Sequence, residues 1–237
     1  MEVKILGTGS TYSESNCTSM IINDNLLIDL SPGTTKQLIK EKYNIKNINT
    51  ILITHLHFDH ILDFPMLISN LKILDKQPKI TVYGPKNTKN KLLSLFKVLD
   101  EDECYEFVNN NLNFIEIYND KEFIVDNYYI KVKQVTHNET ESYGYIINSL
   151  IGITGDSTYC ENIEKIYQEC KILICDCSVE KSDIYHMGID SIQKLQNINY
   201  DKLIIPIHYR DKTKEKLKEM NLNNVIIVND NYKFVIE

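Results

Sequence analysis

The stretch ITHLHFDHILDF, residues 53–64, sets three histidines and two aspartates directly behind an apolar run, in a chain that has six histidines in all. So much imidazole and carboxylate in one turn of chain suits a metal site, an acid–base or nucleophilic site, or a merely polar loop. The apolar residues Ile51–Ile53 read as a strand ending at Thr54, so the polar cluster falls where the chain leaves a sheet, which is where functional loops concentrate. His55, His57, Asp59 and His60 put four ligand-type residues within six positions. Neutral imidazole and carboxylate together suit zinc, manganese or iron.

The remaining histidines decide between a solvated loop and a site. His137 ends the apolar-alternating run IKVKQVTH, His208 ends KLIIPIH, and the carboxylate Asp156 ends LIGITGD. Several strands that each terminate in a ligand-type residue are what a site assembled at one sheet edge requires, so the stretch is read as part of a metal site.

Outward from this stretch, strands are expected at 3–6, 19–22, 26–30, 51–54 and 80–83. Helices are expected at 35–43 and 88–99. The middle is strand-rich, at 113–117, 122–125, 128–135, 143–148 and 150–154. Helices at 161–169, 188–197 and 212–220 then alternate with strands at 171–176, 202–206, 224–228 and 232–236. No linker rich in Pro, Gly or Ser divides the chain, so residues 1–237 are read as a single α/β domain with its sheets covered by helices. Periodicity leaves open whether two sheets pack on each other or one wound sheet forms.

At 237 residues with 43% hydrophobic composition, the chain can bury a substantial core. No run of about 18 apolar residues occurs, and the first residues lack the pattern of an export signal, so a cytoplasmic protein without membrane contact is expected. Six cysteines without a Cys-x-x-Cys pair read as reduced, with Cys175 and Cys177 in the core. A net charge of −7 argues against a broad nucleic-acid footprint. Basic residues cluster at Lys86, Lys89 and Lys91 and from Arg210 through Lys218; the second run reads as a solvated helix face, with Arg210 a candidate for contact with one phosphate.

Several segments, in order along nearly the whole chain, carry a family resemblance: ILGTGSTYSESNCTSMII near the start, LIDLSPGTTKQL (27–38), THLHFDHILDFPML (54–67), VYGPK (82–86), THNETESYGYII (136–147), ITGDS (153–157), HMGID (186–190) and IPIHYR (205–210). With them the chain resembles the metallo-β-lactamase fold hydrolases, within these the ribonuclease Z-like branch and its small phosphodiesterase relatives. The resemblance implies a four-layer αββα sandwich and two divalent ions, with zinc expected first and manganese or iron as alternatives. His55, His57 and His137 would hold one ion, Asp59, His60 and His208 the other, and Asp156 would bridge them. Such a pair activates a bridging hydroxide for phosphodiester hydrolysis. Asp59 would also orient the attacking water.

The resemblance further implies a catalytic His186 beside the scissile phosphate, oriented by Asp176. Read from the sequence alone, the first is equally a turn residue before a helix and the second a structural aspartate. Asp29 is expected to support the site loops through hydrogen bonds. Serines 10, 31 and 157 and Thr11 are left without an activating base if the histidines bind metal.

Where long-arm ribonuclease Z enzymes insert a basic arm, this chain has only the stretch from Asn138 to Gly155 between His137 and Asp156. The expected substrate is therefore a small phosphodiester or nucleotide. The alternatives are a tRNA 3′-processing endoribonuclease that binds RNA without the arm, a hydrolase of thioesters, lactones or sulfate esters, and a non-catalytic metal-binding module. The resembled enzymes are commonly homodimers.

Overall fold

The computed structural model describes residues 1–74, 79–199 and 201–237. The first half runs β1 (Glu2–Gly7), β2 (Ser19–Ile22), β3 (Leu26–Ile28), α1 (Thr34–Lys40), β4 (Thr50–Leu52), α2 (Phe58–Ile61), α3 (Phe64–Ile73), β5 (Ile80–Gly84), α4 (Thr88–Val98), α5 (Asp102–Asn111) and β6 (Leu112–Glu116). The second runs β7 (Glu122–Val125), β8 (Tyr128–His137), β9 (Thr140–Ile147), β10 (Ile151–Ile153), α6 (Glu161–Glu169), β11 (Ile172–Asp176), α7 (Ile189–Ile198), β12 (Leu203–Ile207), α8 (Asp211–Met220) and β13 (Tyr232–Val235).

Among the described residues these strands form two sheets, ordered β13-β1-β2-β3-β4-β5-β6 and β12-β11-β10-β9-β8-β7. The sheets pack on each other. Because successive side chains along a strand point to opposite faces, the apolar runs divide residue by residue. Val3, Ile5, Met20, Ile22, Leu26, Ile28 and Leu52 meet Ile130, Val132, Tyr145, Ile147, Ile153, Ile174 and Ile205 between the sheets. Their neighbours Leu6, Ile21, Leu27, Ile51, Ile53 and Val82 face outward onto apolar residues of α1, α3, α4 and α5. On the far side Ile146, Leu173, Cys175 and Ile204 pack against α6, α7 and α8. Strands buried on both faces read as continuous apolar runs, which is why their periodicity could not separate two sheets from one. The outcome is the αββα layering that the resemblance implied.

Three helices escaped the sequence reading. The helix α3 buries Phe64, Leu67, Ile68 and Leu71, an i, i+3, i+4, i+7 stripe that was legible but lay in the shadow of the histidine motif. The single turn of α2 and the ten residues of α5 also went unassigned; α5 buries only Cys104 and Val108. The strand expected at 224–228 is not one: Val225 makes a lone parallel bridge to Ile204, and the chain is otherwise irregular. Lys214 departs from a solvated face, since it is buried with its ammonium 5.3 Å from the Tyr209 ring centroid.

No helix among the described residues is long and apolar enough to cross a membrane. All six cysteines are free, and Cys175 and Cys177 are fully buried.

The two sheets are also tied by polar contacts near one end. Tyr145 Oη donates to the Ile53 carbonyl at 2.6 Å, and Tyr143 N donates to the Thr54 carbonyl at 3.0 Å. Gly155 makes this approach feasible. Its φ of +62° is left-handed, and a Cβ there would lie 2.8 Å from Thr54 Cβ. Gly155→Ala should therefore cost about 1–3 kcal/mol. A urea unfolding midpoint equal to that of the unaltered chain would refute this account of the junction.

Candidate metal centre

The loops at this end come from both sheets. Asp29 follows β3 and His55 and His57 follow β4, whereas His137 and Asp176 close β8 and β11, Asp156 follows β10, and His208 follows β12. All six histidines gather here. Except for His57 and His186, the ligand-type residues of the site are buried.

His57 Nδ1 lies 3.1 Å from His55 Nε2 and 3.2 Å from His137 Nε2. A second group follows at once. Asp156 Oδ2 stands 3.4 Å from His60 Nε2, 3.3 Å from His208 Nε2 and 3.8 Å from His55 Nε2, and Asp59 Oδ2 is 3.6 Å from His208 Nε2. Two sets of ligand atoms, His55/His57/His137 and Asp59/His60/Asp156/His208, each fall within 4.8 Å of one another. The structure thus brings together every ligand candidate read from the sequence.

These groups fit a divalent ion. Four nitrogens at about 2.05 Å from a tetrahedral ion are about 3.3 Å apart, close to the spacing of the three-histidine set. His60 Nε2 and His208 Nε2 are buried without a hydrogen-bond partner. Such orphaned atoms are rare unless something else satisfies them.

The backbone aims the ligands. Asp29, at a left-handed φ of 57°, accepts from Thr54 N and Oγ1, both at 2.8 Å, and pairs with His60 Nδ1 at 2.8 Å. This is the supporting role expected of it. His208 also takes a left-handed φ, 59°, held by Tyr209 N donating to the Thr8 carbonyl and Ser10 N to the Tyr209 carbonyl. Non-glycine residues in that region are strained by about 1–3 kcal/mol and persist where surrounding contacts over-determine them.

Electrostatics divide the site. Burial, together with the neighbouring imidazoles, pushes His55 well below its usual range, and His57 is lowered for the same reasons, which keeps both neutral. Burial would also depress His60 and His208, but the carboxylates prevail. Asp156 and Asp29 raise His60 well above normal, while Asp156 and Asp176 raise His208 to about 10. Burial opposes ionisation of Asp156 and Asp59, yet the cationic His208 and His60 hold both carboxylates low.

His186 is no loose turn residue. The Asp183 carboxylate accepts from the amides of Tyr185 and His186 at 2.8 Å, fixing the turn. His186 Nδ1 pairs with Asp176 Oδ2 at 2.8 Å, and Asp176 is itself held by Ser157 N and Ser178 N at 3.0 Å. Burial would lower the His186 pKa, but the Asp176 hydrogen bond and charge raise it.

The centre opens into a cavity of about 810 Å³ lined by His57, Asp59, His137, Asp156, His186 and His208 and, further out, by Tyr12, Phe58, Tyr185, Arg210 and Lys212. Tyr12 and Phe58 are strongly exposed at its mouth. The sequence reading missed the residues that hold the ligands: Thr54, Thr140 and the Tyr185 carbonyl. No local pattern marks them, because each contact is made only on folding.

A family model described as "Anti-Pycsar protein Apyc1" matches residues 1–232. Ribonuclease Z of an Exiguobacterium species is 30% identical over 153 residues, 62% of this chain and 49% of that protein. Ribonuclease Z of Methanosarcina mazei is 30% identical over 151 residues, 61% and 47% respectively. The chain therefore spans about half the length of these curated relatives. A PhnP-family diphosphatase superposes with a TM-score of 0.81 at 19% identity, covering 100% of this chain and 98% of that one. A metallo-β-lactamase fold protein of Bacillus subtilis superposes at 0.78 with 17% identity and 98% coverage of both chains. The fold is the metallo-β-lactamase fold.

The protons on His60 and His208 compete with an ion for the same nitrogens. Both pKa values lie above the unfolded value, so the charge pairing they provide is complete below about pH 6.5 and is lost as pH rises through the folded values, about 10 for His208 and well above normal for His60. Zinc affinity should accordingly rise with pH between 6 and 8, with proton release. Calorimetric heats that do not depend on buffer ionisation enthalpy would contradict this.

Proposed function

The chain belongs to the anti-Pycsar protein Apyc1 family, and from that premise we propose that it is a metal-dependent phosphodiesterase acting on a small nucleotide substrate. The observation that carries the reading is the convergence of the two ligand sets on one cavity, with Asp156 Oδ2 3.3 and 3.4 Å from His208 and His60 in its own set and 3.8 Å from His55 in the other. His55, His57 and His137 would hold one ion and Asp59, His60 and His208 a second, with Asp156 available to both, and zinc is the first candidate for its preference for imidazole and carboxylate. Such ions, when bound, polarise a phosphoryl oxygen and lower the pKa of water to about 7.

The rest of the work falls to side chains. Asp59 reaches the cavity and orients an incoming water by accepting its hydrogen bond. His186, with Nδ1 engaged by Asp176, is left with Nε2 to donate a proton to the leaving oxygen. Asp176 favours the protonated imidazole and fixes its direction. Arg210 and Lys212 line the same cavity and supply positive charge for phosphate, while Tyr12, Phe58 and Tyr185 offer faces on which a base can stack.

Three features support a small substrate. The cavity volume falls within the roughly 300–1,000 Å³ of small-molecule sites. The segment from His137 to Asp156 holds only a two-residue turn, β9, the short connection 148–150, β10 and residues 154–155, leaving no arm for an RNA body. The net charge of −7 provides little of the phosphate neutralisation a polynucleotide needs. The likeness to ribonuclease Z keeps tRNA 3′ processing as the second reading.

The zinc- or manganese-loaded protein should hydrolyse bis-p-nitrophenyl phosphate, and a 3′,5′-cyclic mononucleotide in preference to precursor tRNA. His186→Ala should lower kcat by about 10²–10⁴ while elemental analysis shows the same metal content. Unchanged turnover would remove His186 from the mechanism, and cleavage of the tRNA precursor alone would favour the second reading.

A further inference from the structure

Each imidazole of a metal site has one nitrogen for the ion and one that must be held elsewhere, and the partner of the second decides which way the ring is turned. Here His55 Nδ1 meets Thr54 Oγ1 at 3.1 Å, His60 Nδ1 meets Asp29 Oδ2 at 2.8 Å, and His137 Nδ1 meets the Tyr185 carbonyl at 2.7 Å. All three present Nε2 to the centre. His57 is reversed: its Nδ1 faces His55 and His137, while its Nε2 lies 3.0 Å from Thr140 Oγ1.

We propose that Thr140 is a positioning residue whose hydroxyl accepts the Nε2–H of His57, so that the Nδ1 lone pair is the one directed into the three-histidine set. The inference rests on the reading that His55, His57 and His137 hold an ion. Its origin is the hairpin between β8 and β9. Thr140 pairs directly with His137 across that hairpin, and only Asn138 and Glu139 form the turn, with Asn138 at a left-handed φ of 48°. One tight turn therefore delivers His137 as a ligand and, from the facing strand, the group that orients His57. Among the described residues, Thr140 Oγ1 is the side-chain partner of His57 Nε2. A longer connection at this point would move Thr140 out of register with His137 and release the His57 ring.

The test uses the full chain and zinc alone. Thr140→Val keeps the shape and removes the acceptor; Thr140→Ser keeps the acceptor. Chelator competition should show zinc bound about 10–100-fold more weakly by the valine variant and about normally by the serine variant. Long-range ¹H–¹⁵N spectra of the zinc-loaded unaltered and serine proteins should show His57 protonated at Nε2, and that signature should be lost or mixed in the valine variant. A general structural role would not move the tautomer signal of this one ring. Thr140→Ala gives the same comparison should the valine variant fail to fold. If the unaltered chain binds zinc through His57 and T140V matches it in affinity and tautomer, the inference is wrong. If the unaltered chain binds no zinc, the metal reading falls and takes this inference with it.

Discussion

Burying charge without a partner is among the costliest things a fold can do, and this fold buries Asp29, Asp59, Asp156 and Asp176 at a single edge. Their tolerance depends on the imidazoles brought to them from loops of both sheets. Asp156 is the extreme case, fully enclosed and held ionised by His208 and His60. Those contacts are at 3.3 and 3.4 Å. The same charge arrangement that stabilises the metal-free edge is the one a divalent ion would replace. Fold and site therefore share one constraint: neither sheet can shift along the other without stranding a carboxylate.

That constraint explains why so much backbone effort is spent on orientation. Asp29 and His208 sit in left-handed conformations, and each is locked by hydrogen bonds that cross between segments far apart in sequence. Tyr145 and Tyr143 bridge from the second sheet to the loop that starts the histidine motif. The rings are held from behind by a threonine, a carboxylate or a carbonyl, so protein contacts set the direction of the ligand atoms. Preorganisation of this kind lowers the ordering cost of binding.

The rest of the cavity lining is of another character, aromatic and charged, with Glu180 and Asp211 beside the cations. Exposed aromatic rings and two cations surround the cavity, while the acidic surface and the short β8–β9 turn withhold what a long polyanion would grip. The chain belongs to the Apyc1 family, and its fold is that of the solved metallo-β-lactamase fold structures.

What was legible in the sequence followed from local rules. His-x-His-x-Asp-His behind an apolar strand, and strands ending at His137, Asp156 and His208, announced the site because ligand residues at strand ends need no long-range knowledge to be noticed. Apolar periodicity found most strands and the amphipathic helices. It could not assign faces, since strands covered on both sides are apolar throughout; the division of Ile51 and Ile53 from Leu52 exists only once two sheets and their helices are in place. Nor could spacing reveal that Thr140 backs His57, that Tyr185 lends a carbonyl to His137, or that Lys214 folds over Tyr209. The sequence alone determined which ligand-type residues are available and where along the chain they fall. Tertiary structure decided which nitrogen of each ring faces inward and which charges share a buried edge, because those depend on distances between segments that only packing brings together.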